Sequence, residues 1–338
     1  MREPKIGFSK SSDTPLLSIV IVSWNTRDTL ANCLTSIFQH TQPLNFEVIV
    51  VDNSSADRTV EMLKSDFPQV KVITNDSNRG FGRACNQGMQ ASEGRLILLF
   101  NSDAFVRDDV IVGMADYMQS RSEVSMASCQ LQYPDGRIQH CAYRSLSIWR
   151  SLFEDFWVYK LVPSSTRDEI LLGGYWKNDR EIEVDWLAGA FMMLRREVFE
   201  GTGGFSEDFF MYGEDSEWCT RIRRTGRKIF YNPLGVVYHV GSVSSDLEWT
   251  EKERLRRCHL GGLRAYAKLN GSLRGFFYHL ARFAGALMRF AVYSTIAAFT
   301  TGNYYGAQRR LYAWQTAFYW QAFAPESSAC FMEPVTED

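Results

Sequence analysis

Several absences narrow the field before any motif is read. No Cys-x-x-Cys pair occurs among the seven cysteines, which stand at 33, 85, 129, 141, 219, 258 and 330. Odd in number and scattered, they argue against a disulfide frame or a thiolate zinc site and fit reduced, mostly core residues. Residues 1–15 are polar and hold no apolar core of the kind a signal peptide needs, so the catalytic part is expected in the cytosol. The first β-branched apolar run is not followed by Gly-x-Gly-x-x-Gly, which counts against a nicotinamide enzyme. From Arg254 to Ala324 there is no Asp or Glu, so the formal net charge of −2 hides a +10 segment beside a −12 remainder. An acidic body with a basic tail points to a polyanionic partner for the tail alone, and no nucleic-acid partner is expected.

What is present is globular: 45% hydrophobic and 22% charged residues over 338 suffice for one large core plus an accessory region. Leu16–Ser23, Phe46–Val51 and Val70–Thr74 are apolar, β-branched runs separated by segments of helical spacing. That β-α-β-α-β rhythm predicts a mostly parallel sheet of the α/β class. A fourth run, Arg95–Phe100, ends abruptly in Asn101-Ser102-Asp103, the kind of strand edge where open α/β sheets bind ligands. A carboxylate there could hold Mg²⁺ or Mn²⁺ on a diphosphate; equally, Asn101 and Asp103 could shape a turn or cap the helix starting near Asp108. The glycine-bearing stretch Asn78–Asn86 leads into a helix whose N-terminus favours phosphate.

Further along, 145–183 is mixed and aromatic and is expected to be a mobile or acceptor-facing insertion. Val184–Leu194, broken by Gly189, predicts one strand passing close to a ligand or another backbone, with Trp186, Gly189 and Ala190 as acceptor-side candidates. Gly213-Glu214-Asp215 opens a helix ending at Gly226, and its acidic first turn also suits the helix dipole. The strand from Phe230 then brings His239 to its end. A lone histidine in that position can also be structural.

Taken together, Ser18–Asn25, Val50–Ser55, Asn78–Asn86, Asn101–Asp103 and Gly213–Asp215 resemble, in their joint order, the motifs of glycosyltransferase family 2, and most of all its bacterial rhamnosyltransferases. The resemblance covers about residues 16–245 and implies the GT-A nucleotide-diphospho-sugar fold, with a donor half at 16–130 and an acceptor and base half at 131–245. It implies an inverting, metal-dependent transfer in cell-surface polysaccharide synthesis, of L-rhamnose from dTDP-rhamnose or of another sugar, to a hydroxyl of a lipid-linked saccharide. By the same resemblance Asp52 meets the pyrimidine, Ser23, Asn25, Asn78, Arg79, Gly80 and Asn86 surround base and ribose, and Asn101 and Ser102 belong to the donor site. Asp103 matches the last acid of the family's Asp-x-Asp motif and would hold Mg²⁺ or Mn²⁺ with His239; Asn101 stands where the first Asp is usual. Asp215 matches the catalytic base. Glu214 is its neighbour, and because successive helical residues diverge by about 100° only one of them is expected to face the substrate. A sugar-nucleotide nucleotidyltransferase and a non-catalytic sugar-nucleotide-binding protein are the alternative classes.

The remaining stretch, 246–338, is basic, aromatic-rich and expected to be helical. Between Leu273 and Thr300, Arg274, Arg282 and Arg289 fall within one arc of about 80°, opposite Phe276, Leu280, Phe283, Leu287 and Phe290. Such a helix suits the inner face of the cell membrane, arginines at anionic headgroups, with residues 273–323 as the peripheral attachment. Packing on the catalytic part or a homodimer contact is the alternative.

Overall fold

The computed structural model describes residues 14–241, 243, 249–300 and 303–323. Three buried strands, β1 (Leu17–Ser23), β2 (Phe46–Asp52) and β4 (Leu96–Asn101), form the middle of a ten-stranded sheet. Their uninterrupted apolar runs follow from burial on both faces: Ile19, Ile21, Ile49, Val50, Ile97 and Leu98 have no exposure at all. Helices α1 (Arg27–His40), α2 (Thr59–Asp66) and α3 (Phe81–Ala91) make the crossovers, and β3 (Lys71–Thr74) lies outside β2. The strand order 3-2-1-4 reverses between β1 and β4, which creates a crevice at the carboxyl ends of these parallel strands.

The sheet continues as β11 (Phe191–Arg195), β6 (Val124–Gln132), β12 (Lys228–His239) and β5 (Ala104–Val106), with α4 (Val110–Ser120) between β5 and β6 in sequence. β11 is antiparallel to both β4 and β6, whereas β12 runs parallel to β6, so the sheet is mixed beyond β4. Short strands β7 (Ile138–Gln139) and β9 (Ile182–Val184) pair with β6 and β12.

Two expectations change here. Val184–Leu194 is not one strand: β10 (Trp186–Leu187) pairs with β8 (Ala142–Tyr143) in a separate two-stranded sheet, and β11 belongs to the main one. Ala188–Ala190 crosses between the sheets, with Ala188 N–H donating to Cys141 O and Ala190 O accepting from Asn101 N–H. The insertion 145–183 holds α5 (Ile148–Asp155), α6 (Ser164–Leu171) and two 3₁₀ turns, and α5 packs against the C-terminal region. Its periodicity was unreadable because the partner that covers it lies more than a hundred residues away.

After α7 (Arg196–Thr202), α8 (Glu214–Arg224) and β12, the described residues include three long helices, α9 (Glu251–Asn270), α10 (Ser272–Phe299) and α11 (Asn303–Gln321). They form a second core from Leu263, Tyr278, Ala286, Phe318 and Tyr319. Here the sequence expectation is corrected. Arg282 donates to Asp155 Oδ2 at 2.9 Å, and Arg289 bonds the Asp155 and Glu154 carbonyls, so two of the three arginines face α5 and not a headgroup layer. The buried Asp155 carboxylate serves both guanidiniums, and removing it would leave both charges uncompensated. Arg274 alone of the three is exposed. Outward instead point Leu273, Phe276, Phe277, Leu280 and Leu287, each between 42% and 71% exposed. No helix of the described residues is long and apolar enough to cross a membrane.

Candidate active site

The carboxyl ends of β1 and β4 are joined by hydroxyls. Ser23 Oγ lies 2.9 Å from Thr26 Oγ1, which donates to Ser102 Oγ at 3.1 Å. This sets the turn after β4, where Asp103 is buried and Gly241 N–H donates to its Oδ2 at 3.0 Å. β12 delivers His239 to the same point: Nδ1 meets Gln139 Oε1 at 2.6 Å, while Nε2 faces Asn101 Nδ2 and Asp103 Oδ1, each at 3.1 Å. Burial alone would raise the Asp103 carboxyl, but the hydrogen bond and charge of His239 outweigh it and hold the group below the usual carboxylate range. Two donor atoms bound side by side to an octahedral ion at ~2.0–2.1 Å stand about 3 Å apart. The Asp103 and His239 atoms therefore fit a hard divalent cation in place of a shared proton. Among the described residues no group of three or more His, Cys, Asp or Glu side chains is placed to hold a metal, so the remaining ligands would have to come from substrate and water.

The ends of β2 and the 78–86 loop build the adjoining wall. Asp52 accepts from Ser55 N–H through Oδ2 at 3.0 Å, and its buried Oδ1 has no protein partner. Asn53 donates to Gly80 O, and Asn78 Oδ1 accepts from Gly80 N–H, which fixes the loop at the start of α3. Gly80 has φ +79°, and a Cβ there would lie 2.5 Å from Phe210 O, so only glycine fits. Asn86 plays a different part from the one expected. Both ends of its amide are bonded to the Phe205 backbone, so it clamps the 203–205 turn and does not line the cavity. Arg79 is exposed and paired with Asp76; Asn25 accepts from Ala56 N–H at a neighbouring surface groove; Ser23 and Asp52 are buried and not among the residues lining the cavity.

Across from the Asp103–His239 pair, α8 starts at Gly213, whose φ is +101°. Glu214 and Asp215 both line one cavity of about 340 Å³, along with Asn78, Gly80, Asn101, Ser102, Asp103 and His239. Both carboxylates thus border the cavity, which leaves open to experiment the expectation that one of them, Asp215, faces substrate. Glu214 is 4% exposed and its Oε2 has no hydrogen-bond partner, whereas Asp215 Oδ1 accepts from Ser216 N–H at 2.7 Å. Burial pushes both carboxyls well above the ordinary range, and the neighbouring Asp215 charge adds to the rise at Glu214. Two raised carboxyls side by side in one cavity are a perturbed arrangement of the kind found where protons are transferred. Trp186, Gly189 and Ala190 also line this cavity.

Some lining residues were missed from sequence. Trp24 follows Ser23 directly, and Phe210, Met211 and Tyr212 precede Gly213; their nearness to recognised motifs was the available signal. Gln139, His140, Tyr143 and Trp249 carried none, since only the fold brings them in.

Comparison with known proteins bears on this arrangement. The family model described as "Glycosyl transferase family 2" matches residues 18–203, and one described as "N-terminal domain of galactosyltransferase" matches residues 175–241. The chain is 28% identical over 235 residues to O-antigen biosynthesis protein RfbC of Myxococcus xanthus, covering 68% of this chain and 18% of that protein. It is 26% identical over 254 residues to protein y4gI of Sinorhizobium fredii, covering 72% of this chain and 26% of that protein. The chain thus spans about a quarter or less of the length of these two relatives. Against N-acetylglucosaminyl-diphospho-decaprenol L-rhamnosyltransferase of Mycobacterium tuberculosis, identity is 26% over 243 residues, covering 67% of this chain and 76% of that one. Among solved structures, a mannosyltransferase from Pyrobaculum calidifontis in complex with GDP-Man and Mn²⁺ superposes with TM-score 0.55 at 18% identity, over 90% of this chain and 86% of that one. GalNAc-T7 with UDP, GalNAc and Mn²⁺ gives 0.51 at 18% identity, over 75% and 50%. Both are likenesses of fold.

Proposed function

This chain belongs to glycosyl transferase family 2, and from that premise we propose that it is an inverting, metal-dependent glycosyltransferase acting on a nucleotide-diphospho-sugar. The observation that carries the proposal is one cavity with the buried Asp103–His239 pair on one wall and the Glu214–Asp215 carboxylates on the other. Asp103 and His239 would hold Mg²⁺ or Mn²⁺, which when bound neutralises charge on the departing diphosphate. Asp52 is not among the residues lining the cavity, so its proposed bond to the pyrimidine N–H of the donor requires the base to reach past Asn53 and Asn78 to the unpartnered buried oxygen. Asp215 takes the proton of the acceptor hydroxyl, on the face opposite the leaving group, which inverts the anomeric centre.

The sugar proposed is L-rhamnose from dTDP-rhamnose, and the acceptor a lipid-linked saccharide of cell-surface polysaccharide synthesis. Support comes from the name of the mycobacterial relative, and from Rhamnosyltransferase WbbL of Escherichia coli, 21% identical over 231 residues, covering 66% of this chain and 83% of that protein. Attachment to the inner face of the cell membrane is proposed through the apolar face of α10, with exposed Arg274, Arg309 and Arg310 toward anionic headgroups. The deciding experiment incubates the protein with a panel of nucleotide sugars, with Mn²⁺ or EDTA and a bacterial lipid extract. Transfer of rhamnose, lost in EDTA, is expected; transfer of a different sugar would reassign the donor, and nucleotide-sugar synthesis in its place would overturn the reading.

A further inference from the structure

Beside the catalytic cavity lies a second one, of about 250 Å³, which the transfer reaction as described leaves unused. The two share a partition. Tyr143 and Trp186 line both, their rings stacked 4.3 Å apart, and the indole is fixed by a 2.9 Å bond from Trp186 Nε1 to Arg144 O. The far walls come from α5, α9, α10 and α11, so the C-terminal helices are what close this space.

Its charge is out of balance. Arg144, Arg150 and Arg282 line it against one carboxylate, Glu154. Behind them, Asp185 is shared by three guanidiniums, those of Arg144 at 3.7 Å, Arg150 at 3.5 Å and Arg223 at 3.0 Å. Asp155 is likewise shared by Arg282 and Arg289. Five guanidiniums thus meet three carboxylates in a half-buried setting. Burial holds Arg150 below its ordinary pKa; Arg144 and Arg223 press it the same way, against the pull of Asp185. Excess positive charge removed from water is costly unless an anion arrives to meet it. Guanidinium forks suit phosphate oxygens, and Ser145, Ser147 and Ser151 add hydroxyls at the same wall.

We propose that this arginine-lined cavity binds the diphosphate of a lipid-linked acceptor, so that the acceptor sugar reaches past Tyr143 and Trp186 toward Asp215. The inference rests on the transferase reading but concerns binding, and it gives the C-terminal helices a direct part in acceptor recognition.

Calorimetric titration without donor tests it. The probes are N-acetylglucosaminyl diphosphate carrying a ten-carbon tail, the same sugar and tail without phosphates, and inorganic pyrophosphate. The wild-type protein should prefer the diphosphate probe to the phosphate-free one. Arg150→Gln and Arg144→Gln should each weaken that probe by about tenfold or more, the scale of one lost hydrogen bond to a charged group. Arg150→Lys should restore part of the affinity, and binding of dTDP with Mn²⁺ should be unchanged in all three. Equal affinity of wild type for the two tailed sugars would overturn the proposal, as would variants that lose dTDP as well. Inorganic pyrophosphate binding as tightly as the tailed probe would assign the cavity to a free diphosphate and overturn its acceptor role. Failure of the transferase reading would show separately, as absence of turnover with every donor while this binding persists.

Discussion

At the residue scale the question is which carboxylate moves the proton. Asp215→Asn is expected to lower turnover by ~10²–10⁴-fold, the usual worth of general-base catalysis, while dTDP binding measured by calorimetry stays near wild type. Glu214→Gln should retain more activity. The reverse ranking of the two variants would exchange their roles. Because burial raises the Asp215 carboxyl, the acid limb of kcat/KM should lie above the range of an ordinary aspartate, and activity should rise with pH through it as the base ionises. Glu214 adds a stability test. Its folded-state pKa lies above that of the unfolded chain, so its favourable contribution is present at low pH and is lost as pH rises through the folded value. Glu214→Gln should therefore gain in Tm relative to wild type as pH increases from 5 toward 8; a pH-independent difference would show that Glu214 ionises freely. On the other wall, Asp103→Ala should weaken dTDP-sugar binding with Mn²⁺ present and have much less effect in EDTA. His239→Ala with unchanged Mn²⁺ dependence would remove that residue from the cation site.

Between elements, the contact that matters most is α9 on the turn before α8. Gly213 and Gly261 meet backbone to backbone: a Cβ on Gly261 would stand 2.2 Å from Tyr212 O, and one on Gly213 would stand 2.6 Å from Gly261 O. In an ordinary helix interior, Gly→Ala stabilises by roughly 0.5–1 kcal/mol. Here Gly261→Ala must push α9 away from the Gly213–Asp215 turn, so both Tm and turnover should fall. A more stable and fully active variant would mean that α9 does not support the catalytic turn. α5 is tied in the same manner by Asp155, 6% exposed, which serves Arg282 and Arg289. Asp155→Ala leaves two guanidiniums without their shared carboxylate and should cost ~3–5 kcal/mol in urea denaturation. The identity of α5 as a helix with a partner was hidden in the sequence because its apolar stripe is short and its anchor is ionic.

For the whole molecule, the issue is what covers the outward face of α10. Burying a Leu or Phe side chain contributes ~1.5–3 kcal/mol, so Phe276→Ser with Leu280→Ser should weaken binding to anionic liposomes more than tenfold while sparing dTDP binding. Wild-type protein that ignores liposomes but is dimeric by sedimentation, and monomeric with these substitutions, would assign the face to a second copy. Since Arg282 and Arg289 are committed to Asp155, salt should reduce the wild-type interaction only modestly, through Arg274, Arg309 and Arg310.

The sequence by itself determined the parallel half of the sheet and the motif residues at its edge, because uninterrupted β-branched runs and the polar residues that end them are local signals. Asn101–Asp103, Gly80 and Gly213–Asp215 were legible in that way, each at a strand end or helix start. Tertiary structure alone decided the rest. Asn86 looks the same in sequence whether it touches a ligand or clamps Phe205, and the arginine stripe of α10 has the same spacing whether it faces lipid or Asp155. Helical periodicity says which residues share a face, but the partner of that face depends on long-range contacts, and a buried carboxylate more than a hundred residues upstream turned the arginines inward and left the aromatic and aliphatic arc outside.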